Sequence, residues 1–240
     1  MKIRILSYNI HKGFSSSRAY VLDGIKRAID VIQADLVFLQ EVSGEHDRAP
    51  GRAQFEALAD RVWHHHAYGR NAVTSSGHHG NAILSKLPIL AWENLNVSTN
   101  RFEKRGILHA VVDLDPPHRR PLHAICLHFD LFARGRLKQA ELLCARVEKH
   151  VPAGEPLVIA GDFNDWGEHV SEILQERLGV QEAFTAVRGA HARSFPAWLP
   201  LLRLDRIYVR GLAPRSAEVL TGAQWRGLSD HAALFCEVEA

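Results

Sequence analysis

Cysteine is scarce in this sequence, and its scarcity excludes a disulfide-stapled scaffold. The chain of 240 residues contains three cysteines, at positions 126, 144 and 236. Their odd number and their lack of metal-site spacing predict neither a disulfide framework nor a cysteine-zinc site. Cys126 and Cys236 lie inside apolar runs, so we expect both to be reduced core residues, which suits a reducing compartment.

An excess of one charge and long apolar runs are also missing. Lys and Arg number 29 against 27 Asp and Glu, and the formal charge of +2 is too small to demand nucleic acid as a partner. No apolar run approaches the roughly 20 residues of a membrane span. The chain enters a strand pattern at once, without the features of a signal peptide. We therefore expect a cytoplasmic protein with no transmembrane segment and no obligate protein partner.

The sequence shows no internal repeat and no long linker, which predicts one domain over residues 1–240. Its apolar fraction of 46% is ordinary for a globular protein. Apolar periodicity predicts helices over residues 20–32, 53–62, 136–150 and 168–178. Short apolar runs predict strands over residues 3–10, 35–41, 63–68, 81–85, 89–97, 107–114, 122–127, 157–160, 204–209 and 232–238, with a further candidate at Val219.

Three polar segments, over residues 43–52, 71–80 and 179–202, are predicted to be loops or irregular structure. A tight turn at residues 115–118 joins two strands in a hairpin-like pairing. Hairpin-like pairs mixed with crossover helices favour an α/β fold in which sheets pack together and helices lie outside.

The most informative stretch follows the apolar strand at residues 157–160. Gly161 ends that strand, and Asp162 and Asn164 come directly after it. On an extended chain, two residues that are two positions apart point to the same side, so we expect this carboxylate and amide to face one site. The alternative is a tight turn held by an Asx hydrogen bond.

Other polar residues also stand at the ends of predicted strands. They are Asn9, Glu41, His128 and the Asp230-His231 pair, while Asp205 lies within a strand. Each has a structural alternative: a loop cap at Asn9, a solvated end at Glu41, a core histidine at His128, a turn at Asp230, and an ion pair of Asp205 with Arg203 or Arg206. Ends of neighbouring strands share one rim of a sheet, and so many carboxylates there repel one another unless a cation neutralises them.

The donor types indicate which chemistry such a rim supports. Carboxylate and amide oxygens suit Mg²⁺ or Mn²⁺ better than zinc. One histidine, oriented by a buried carboxylate, can deprotonate a water molecule. The cation and the other histidine can stabilise the charge that develops on a phosphate ester and on its leaving oxygen.

Six short motifs in this order resemble the endonuclease/exonuclease/phosphatase superfamily, which includes DNase I, exonuclease III-type endonucleases, neutral sphingomyelinases and inositol-polyphosphate 5-phosphatases. The motifs are Tyr8-Asn9-Ile10, Leu39-Gln40-Glu41, Leu127-His128, Gly161-Asp162-Phe163-Asn164, Arg203-Leu204-Asp205-Arg206-Ile207 and Ser229-Asp230-His231. The resemblance spans residues 8–231. It implies a four-layer α/β sandwich, DNase I-like, with the site on one edge of two packed sheets.

The resemblance also implies roles for individual residues. Glu41 resembles the principal metal ligand, with Asn9 and Asp230 nearby. Asp162 and Asn164 resemble the pair that positions the attacking water and touches the phosphate. His231 resembles the general base and Asp205 its orienting partner. Two further residues resemble substrate contacts, namely His128, the second histidine, and Arg105; Glu103 is the candidate carboxylate to support His128.

The function implied is hydrolysis of phosphodiester bonds with Mg²⁺ or Mn²⁺ as cofactor, by in-line attack of an activated water. The expected substrate is nucleic acid, a phospholipid head group or a small phosphodiester. The alternatives are a phosphomonoesterase of the same family, a catalytically inactive binding module on the same fold, and a histidine-rich metal-storage protein.

Histidine runs and exposed aromatics complete the candidate features. The runs at residues 64–66 and 78–79 are poor chelators because adjacent strand residues face opposite sides, so we expect surface residues near the substrate edge. Phe195, Trp198 and Trp225 form either the apolar part of a substrate pocket or ordinary packing. Residues 198–202 are a candidate contact with a lipid surface, too short to be an anchor.

Overall fold

A computed structural model describes residues 1–46, 53–74, 77–116 and 118–240. The helices are α1 (Leu22–Ile32), α2 (Gln54–Ala59), α3 (Ala133–His150), α4 (His169–Leu178) and α5 (Ala183–Arg188). The strands are β1 (Lys2–Asn9), β2 (Leu36–His46), β3 (His65–Thr74), β4 (Gly77–Ser85), β5 (Ile89–Asn96), β6 (Gly106–Asp113), β7 (Pro121–His128), β8 (Leu157–Asp162), β9 (Gln181–Glu182), β10 (Asp205–Arg210), β11 (Ala213–Leu220) and β12 (Ala233–Glu239).

Over these residues the strands form two six-stranded sheets. The first has the order β11-β12-β1-β2-β4-β3, and the second has the order β5-β6-β7-β8-β10-β9. Within them, β1 runs parallel to β2 and β7 runs parallel to β8, while the other pairs are antiparallel. The mixed sheets follow from alternating crossover helices and hairpins, as the sequence predicts.

Alternation along β8 explains how the layers are held together. Val158 and Ala160 face the core between the two sheets, whereas Leu157 and Ile159 face the outer core under α3 and α4. The first sheet is covered in the same way by α1 and α2, with Ile25 among the buried residues. The result is four layers, helix, sheet, sheet and helix, each joined to the next by apolar burial.

The predicted cysteine environment is confirmed for Cys126 and Cys236, which are buried in the core between the sheets. Cys144 is buried on the inner face of α3, and all three thiols are free. The predicted hairpin of β6 and β7 is also present, although Pro117 of its turn lies outside the described residues. No helix among the described residues is long and apolar enough to cross a membrane.

The predicted loop over residues 71–80 is wrong where the structure describes it. β3 extends to Thr74 and β4 begins at Gly77, so these residues pair as a hairpin. Gly80 permits the pairing, because a Cβ there would lie 1.8 Å from the carbonyl oxygen of Gly69. These strand segments carry few apolar residues, so they lack the apolar pattern by which a strand is predicted from sequence.

Two other predicted irregular segments are partly regular. β2 continues through residues 43–46, while the rest of the predicted loop, residues 47–52, lies outside the described residues. The segment 179–202 contains β9 and α5, whose first turn is capped by the Glu182 carboxylate accepting from the amides of Phe184 and Thr185. A six-residue helix defined by its cap is too short to show an apolar period. One domain over residues 1–240 stays a prediction.

Candidate active site

Strand direction gathers the predicted polar residues on one rim of the two sheets. Asn9 ends β1, and Glu41 lies one residue beyond its parallel partner in β2. In the second sheet His128, Asp162 and Asp205 lie in one row across β7, β8 and β10. The cleft between them has a volume of about 320 Å³. It is lined by Glu41, Arg105, His128, Leu131, Asp162, Asn164, Trp166, Phe195, Leu202, Leu204, Asp230 and His231.

A close strand approach places the row in the second sheet. Gly161 has a φ of +153°, and a Cβ at that position would lie 2.0 Å from the carbonyl oxygen of Leu127. Only glycine fits so close to the neighbouring backbone. This contact brings the ends of β7 and β8 together, with His128 opposite Asp162.

Asp162 is the hub of the cleft. Its Oδ2 accepts a hydrogen bond from Asn9 Nδ2 at 3.2 Å. The same oxygen lies 3.3 Å from His128 Nε2 and 3.7 Å from His231 Nε2. Burial raises the pKa of this carboxyl, and the adjacent Asp205 raises it further, against the opposing effect of His231.

His231 and Asp205 form a buried dyad. His231 Nδ1 lies 2.8 Å from Asp205 Oδ2, and Ser194 Oγ donates to the same oxygen. The Phe195 ring packs against the imidazole, with centroids 4.9 Å apart. Burial lowers the pKa of His231, but the neighbouring carboxylates, Asp205 first, raise it to about 10. With Nδ1 bound to a carboxylate, His231 presents its Nε2 to the cleft and to Asp162.

Glu41 is an ionised carboxylate on the first sheet's side of the cleft. The residue has a φ of +55°, where the register of β2 against β4 shifts between Leu39 and Val42. Its Oε2 lies 3.4 Å from Lys12 Nζ. Burial raises its pKa, yet the neighbouring His128, Lys12 and His11 together outweigh burial and lower the pKa to about 2.

Asn164 differs from the sequence expectation in its backbone. Its φ is +50°, so it does not continue the extended chain, and its amide N–H donates to Asp162 Oδ1 at 3.0 Å. The Asx hydrogen bond posed as an alternative is therefore present, while both residues still line the cleft. Asn164 Nδ2 donates to the Phe129 carbonyl oxygen, which ties this loop to the end of β7.

Asp230 and Asn9 meet at the loop that precedes β12. Ser229 Oγ donates to the carbonyl oxygen of Asn9 at 2.7 Å, and Asn9 Oδ1 accepts from the backbone N–H of His11. Asp230 Oδ1 lies 3.7 Å from His11 Nδ1. These bonds place Asn9 and Asp230 on the same side of the cleft as Glu41.

Two expected carboxylate pairings are wrong. Glu103 does not support His128; its Oε2 lies 3.3 Å from an Arg105 guanidinium nitrogen and accepts from the Leu131 amide. The carboxylate beside His128 is instead Asp162. The alternative pairing of Asp205 with an arginine is also wrong, because Arg203 pairs with Glu168 and Arg206 donates to the carbonyl oxygen of Asp165.

The donor set fits a hard divalent cation. Glu41, Asp162 and Asp230 bring carboxylates to one cleft, and Glu41 is ionised. Donor atoms of Asp162, Asp205 and His231 also lie within 4.8 Å of one another. In that group Asp205 Oδ2 already accepts from Ser194 and faces His231 Nδ1, so Asp162 and His231 Nε2 are the members that point to the cleft.

The histidine runs lie at opposite ends of the first sheet. His65 begins β3 opposite Ser85, far from the rim, so the expectation that residues 64–66 lie near the substrate edge is wrong. His79 pairs with Ser43, two residues beyond Glu41. This register places His79 near the rim end of the first sheet. Burial lowers the pKa of His79, and Lys12 lowers it further.

The aromatic residues Phe195, Trp198 and Trp225 were expected either to form the apolar part of a substrate pocket or to be ordinary packing, and they differ in their surroundings. Phe195 lines the cleft, as a pocket wall would. Trp225 is 5% exposed and packs edge-on against Tyr8, with centroids 5.4 Å apart, which is core packing. Trp198 is 76% exposed.

Sequence reasoning missed several residues of the site. Lys12, Ser194, Leu131 and Trp166 each touch or line the cleft. Ser194, Leu131 and Trp166 lie in loops and Lys12 lies in a short 3-10 helix, His11–Gly13, and no apolar period marks any of the four. Lys12 follows Asn9 by three positions and Leu131 follows His128 by three, and this proximity to a strand end is the signal available for these two residues.

A sequence model of the Endonuclease/Exonuclease/phosphatase family matches residues 6–231 of the chain. The protein YbhP of Escherichia coli (strain K12), itself uncharacterized, is 42% identical over 243 residues, which cover 98% of this chain and 95% of YbhP. The predicted superfamily resemblance is thereby confirmed.

Solved structures share the fold at low sequence identity. An endonuclease/exonuclease/phosphatase from Beutenbergia cavernae has a TM-score of 0.82 and 19% identity, covering 99% of this chain and 71% of its own. D. rerio TDP2, complexed with a single strand DNA product, has a TM-score of 0.76 and 21% identity, covering 100% and 99%. A mannosyl-6-phosphatase from Bacteroides thetaiotaomicron has a TM-score of 0.78 and 16% identity, covering 99% and 100%. These similarities confirm the four-layer α/β sandwich.

Proposed function

Because this chain belongs to the endonuclease/exonuclease/phosphatase family, whose members generally hydrolyse phosphate esters, we propose that it is a divalent-metal-dependent phosphodiesterase. One observation carries the proposal: the His231–Asp205 dyad presents an imidazole nitrogen to a cleft that also holds Asp162 and an ionised Glu41. A base, a water-positioning carboxylate and a cation site in one cleft are the parts that hydrolysis of a phosphodiester needs.

Glu41, Asn9 and Asp230 would hold the cation, Mg²⁺ or Mn²⁺, on the first sheet's side of the cleft. When bound, it supplies Lewis-acid polarisation of a phosphoryl oxygen and a positive charge that opposes protonation of the neighbouring imidazoles. The Lys12 ammonium, 3.4 Å from Glu41 Oε2, balances part of the Glu41 charge.

The remaining roles follow from the direction of each polar atom. His231 Nε2 accepts a proton from the attacking water, while Asp205 holds the ring through Nδ1 and stabilises the imidazolium that forms. Asp162 accepts from Asn9 and stands between the two histidines, where it orients that water. Asn164 faces the phosphate from the loop beyond β8.

Arg105 and His128 face the phosphoryl group from the second sheet. Both line the cleft, and Glu103 orients the guanidinium of Arg105. Donors aimed at an oxyanion in a buried site stabilise the charge that grows in the transition state. The substrate is a nucleic acid or a phospholipid head group, and the three free, buried thiols support a cytoplasmic location.

The test is hydrolysis of bis-p-nitrophenyl phosphate with Mg²⁺, with Mn²⁺ and with EDTA, with plasmid DNA and a phospholipid assayed in parallel. We expect metal-dependent release of nitrophenol that EDTA stops. The matched variants are Asp162→Ala and Asp113→Ala, since Asp113 is a buried carboxylate at the opposite end of the second sheet. Unchanged turnover in the folded Asp162→Ala variant would overturn the proposal. So would a wild-type protein that releases no nitrophenol with either metal.

A further inference from the structure

A second cleft lies beside the catalytic one and shares His231 with it. Its volume is about 750 Å³, and its walls come from the loop before α1, the segment around residues 193–200, and the residues from the end of β11 to the start of β12. Residues that give it polar character include Ser16, Ser17, Arg193 and Arg226, and Trp198 forms an exposed wall. Because His231 lines both clefts, a ligand in the catalytic cleft lies beside the second cleft.

The two arginines of the second cleft, Arg193 and Arg226, have no side-chain partner among the described residues. In the part of the chain that the structure describes, neither the Arg193 nor the Arg226 guanidinium has a hydrogen bond or an ion pair. Arg105 and Arg203, on the catalytic side, are each paired with a glutamate. Unpaired guanidinium groups in a concave site are available to a dianion, which they bind through parallel N–H donors.

Hydroxyl groups on the opposite wall complement this charge. Ser15 and Ser17 share a hydrogen bond at 2.9 Å, and Ser16 Oγ donates to the carbonyl oxygen of Ser229 at 3.5 Å. The serine loop is thus held against the loop that carries Asp230 and His231. Serine hydroxyls add donors suited to the oxygens of a phosphate group.

We propose that the second cleft binds a further, non-scissile phosphate group of the substrate through Arg193 and Arg226. This inference rests on the proposed function, because it assumes that the scissile phosphate lies beside His231. The ligand chemistry is an organic compound with two phosphate groups, such as a nucleotide unit extended by its neighbour's phosphate. The two phosphates are recognised in the two adjoining clefts, which makes the second one a determinant of substrate choice.

Binding tests the proposal independently of turnover. Isothermal titration of the 240-residue chain, with Mg²⁺ present throughout, compares thymidine 3′,5′-bisphosphate with thymidine 5′-monophosphate. We expect the bisphosphate to bind about tenfold or more tightly, the difference that one charge-assisted contact supplies. The Arg193→Ala/Arg226→Ala double variant should lose that preference. Arg120→Ala is the matched control, since Arg120 is exposed at the far end of β7 and its variant should keep the preference.

Equal affinities in the wild type, both within the thymidine pair and within the parallel glycerophosphoinositol pair, would overturn the second subsite. A preference that persists in the double variant would overturn it as well. Failure of the proposed function is distinguishable, because it appears as absent turnover of bis-p-nitrophenyl phosphate, which carries no second phosphate. Glycerophosphoinositol and its 4-phosphate form a parallel ligand pair. A larger Arg-dependent preference in that pair supports the subsite and assigns it to a lipid head group, and a larger one in the thymidine pair assigns it to a nucleotide.

Discussion

Two buried histidine–carboxylate clusters in this protein have similar contact distances but differ in their position on the sheet and in the pKa of their histidines. In one, His231 Nδ1 lies 2.8 Å from Asp205; in the other, His123 Nε2 lies 2.6 Å from Glu155. The second cluster continues through His109, whose Nε2 lies 2.8 Å from His123 Nδ1 and whose Nδ1 accepts from Arg146. Every ring nitrogen of His109 and His123 therefore has a partner inside the protein.

The difference lies in where each cluster sits on its sheet. His109 and His123 stand within β6 and β7, under α3, while His231 stands in a loop at the rim and lines two clefts. Burial lowers the pKa of His109, and His123 and Arg146 lower it further, to about 3, whereas carboxylates raise that of His231 to about 10. Pairing with a carboxylate therefore does not by itself mark a catalytic histidine, and a second ring nitrogen that faces a cleft at the rim is what suggests catalysis.

The largest effect expected from this comparison is on turnover. His231→Ala should lower kcat for bis-p-nitrophenyl phosphate by roughly 10²–10⁴-fold, because a general base contributes about that much. His123→Ala should leave kcat within about threefold of the wild type, since its ring lies outside the cleft, although its unfolding midpoint should fall. Similar kcat losses in the two folded variants would break the distinction between the clusters.

The carboxylate of the dyad comes next. Asp205→Asn should lower kcat by about 10²-fold, because an amide neither holds the ring with a charge nor stabilises the imidazolium that forms. Glu155→Gln makes the same change in the other cluster and should alter stability only. Stopped-flow or steady-state release of nitrophenol measures both variants, and an Asp205→Asn enzyme at wild-type speed would remove Asp205 from the mechanism.

The cluster of His109, His123 and Glu155 should affect how the stability of the protein depends on pH. Since the folded pKa of His109 is lowered below its unfolded value of about 6.5, the unfolded chain binds a proton that the folded protein excludes as the pH falls. Stability from this group is therefore present above about pH 6.5 and lost below it, at about 1.4 kcal/mol per pH unit.

Urea unfolding of the wild type and of His109→Gln, between about pH 7 and pH 4.5, measures this effect. The stability difference between the two proteins should narrow as the pH falls. A difference that stays constant over this range would show that His109 titrates alike in the folded and unfolded states.

The smallest effect concerns Ser194, whose hydroxyl bonds to Asp205. Ser194→Ala should lower kcat by about two- to tenfold with KM unchanged, the value of one hydrogen bond that positions the dyad. Ser171→Ala is the control, because Ser171 is a buried serine that accepts from Tyr208 outside the cleft. A rise in KM without a fall in kcat would place Ser194 in substrate binding instead.

The rim was predictable because strand ends are local features of the sequence. Asn9, Glu41, His128 and Asp162 each follow a short apolar run, and parallel pairing carries them to one edge. The partners of these residues were less accessible. A long irregular segment brings Ser194 to Asp205 and Phe195 to His231, and neither contact is visible in the local sequence. The local sequence around Glu103 also does not reveal that its side chain turns toward Arg105.

The main error in the predicted fold was that strands with few apolar residues were predicted to be loops. The end of β3 and the start of β4 are rich in glycine, serine and histidine, and their pairing depends on neighbours that are distant in sequence. β-Strand preference reflects such neighbours more than it reflects the residues themselves. The same dependence explains why His109 and His128, both on strands, could not be told apart by composition alone.

The antiparallel register that sets Asp205 opposite Asp162 also separates the groups that react from much of the surface that meets the substrate. The two carboxylates are fixed by β8 and β10, so residues 163–204 leave the rim and return to it at a constant geometry. Trp166, Phe195 and Trp198 all belong to this excursion, and each lines one of the two clefts. Apart from Asn164, Ser194 and the buried residues of α4 and α5, that segment can vary in length and composition while the hydrolytic groups stay in place, so what the protein recognises can change without a change in how it reacts.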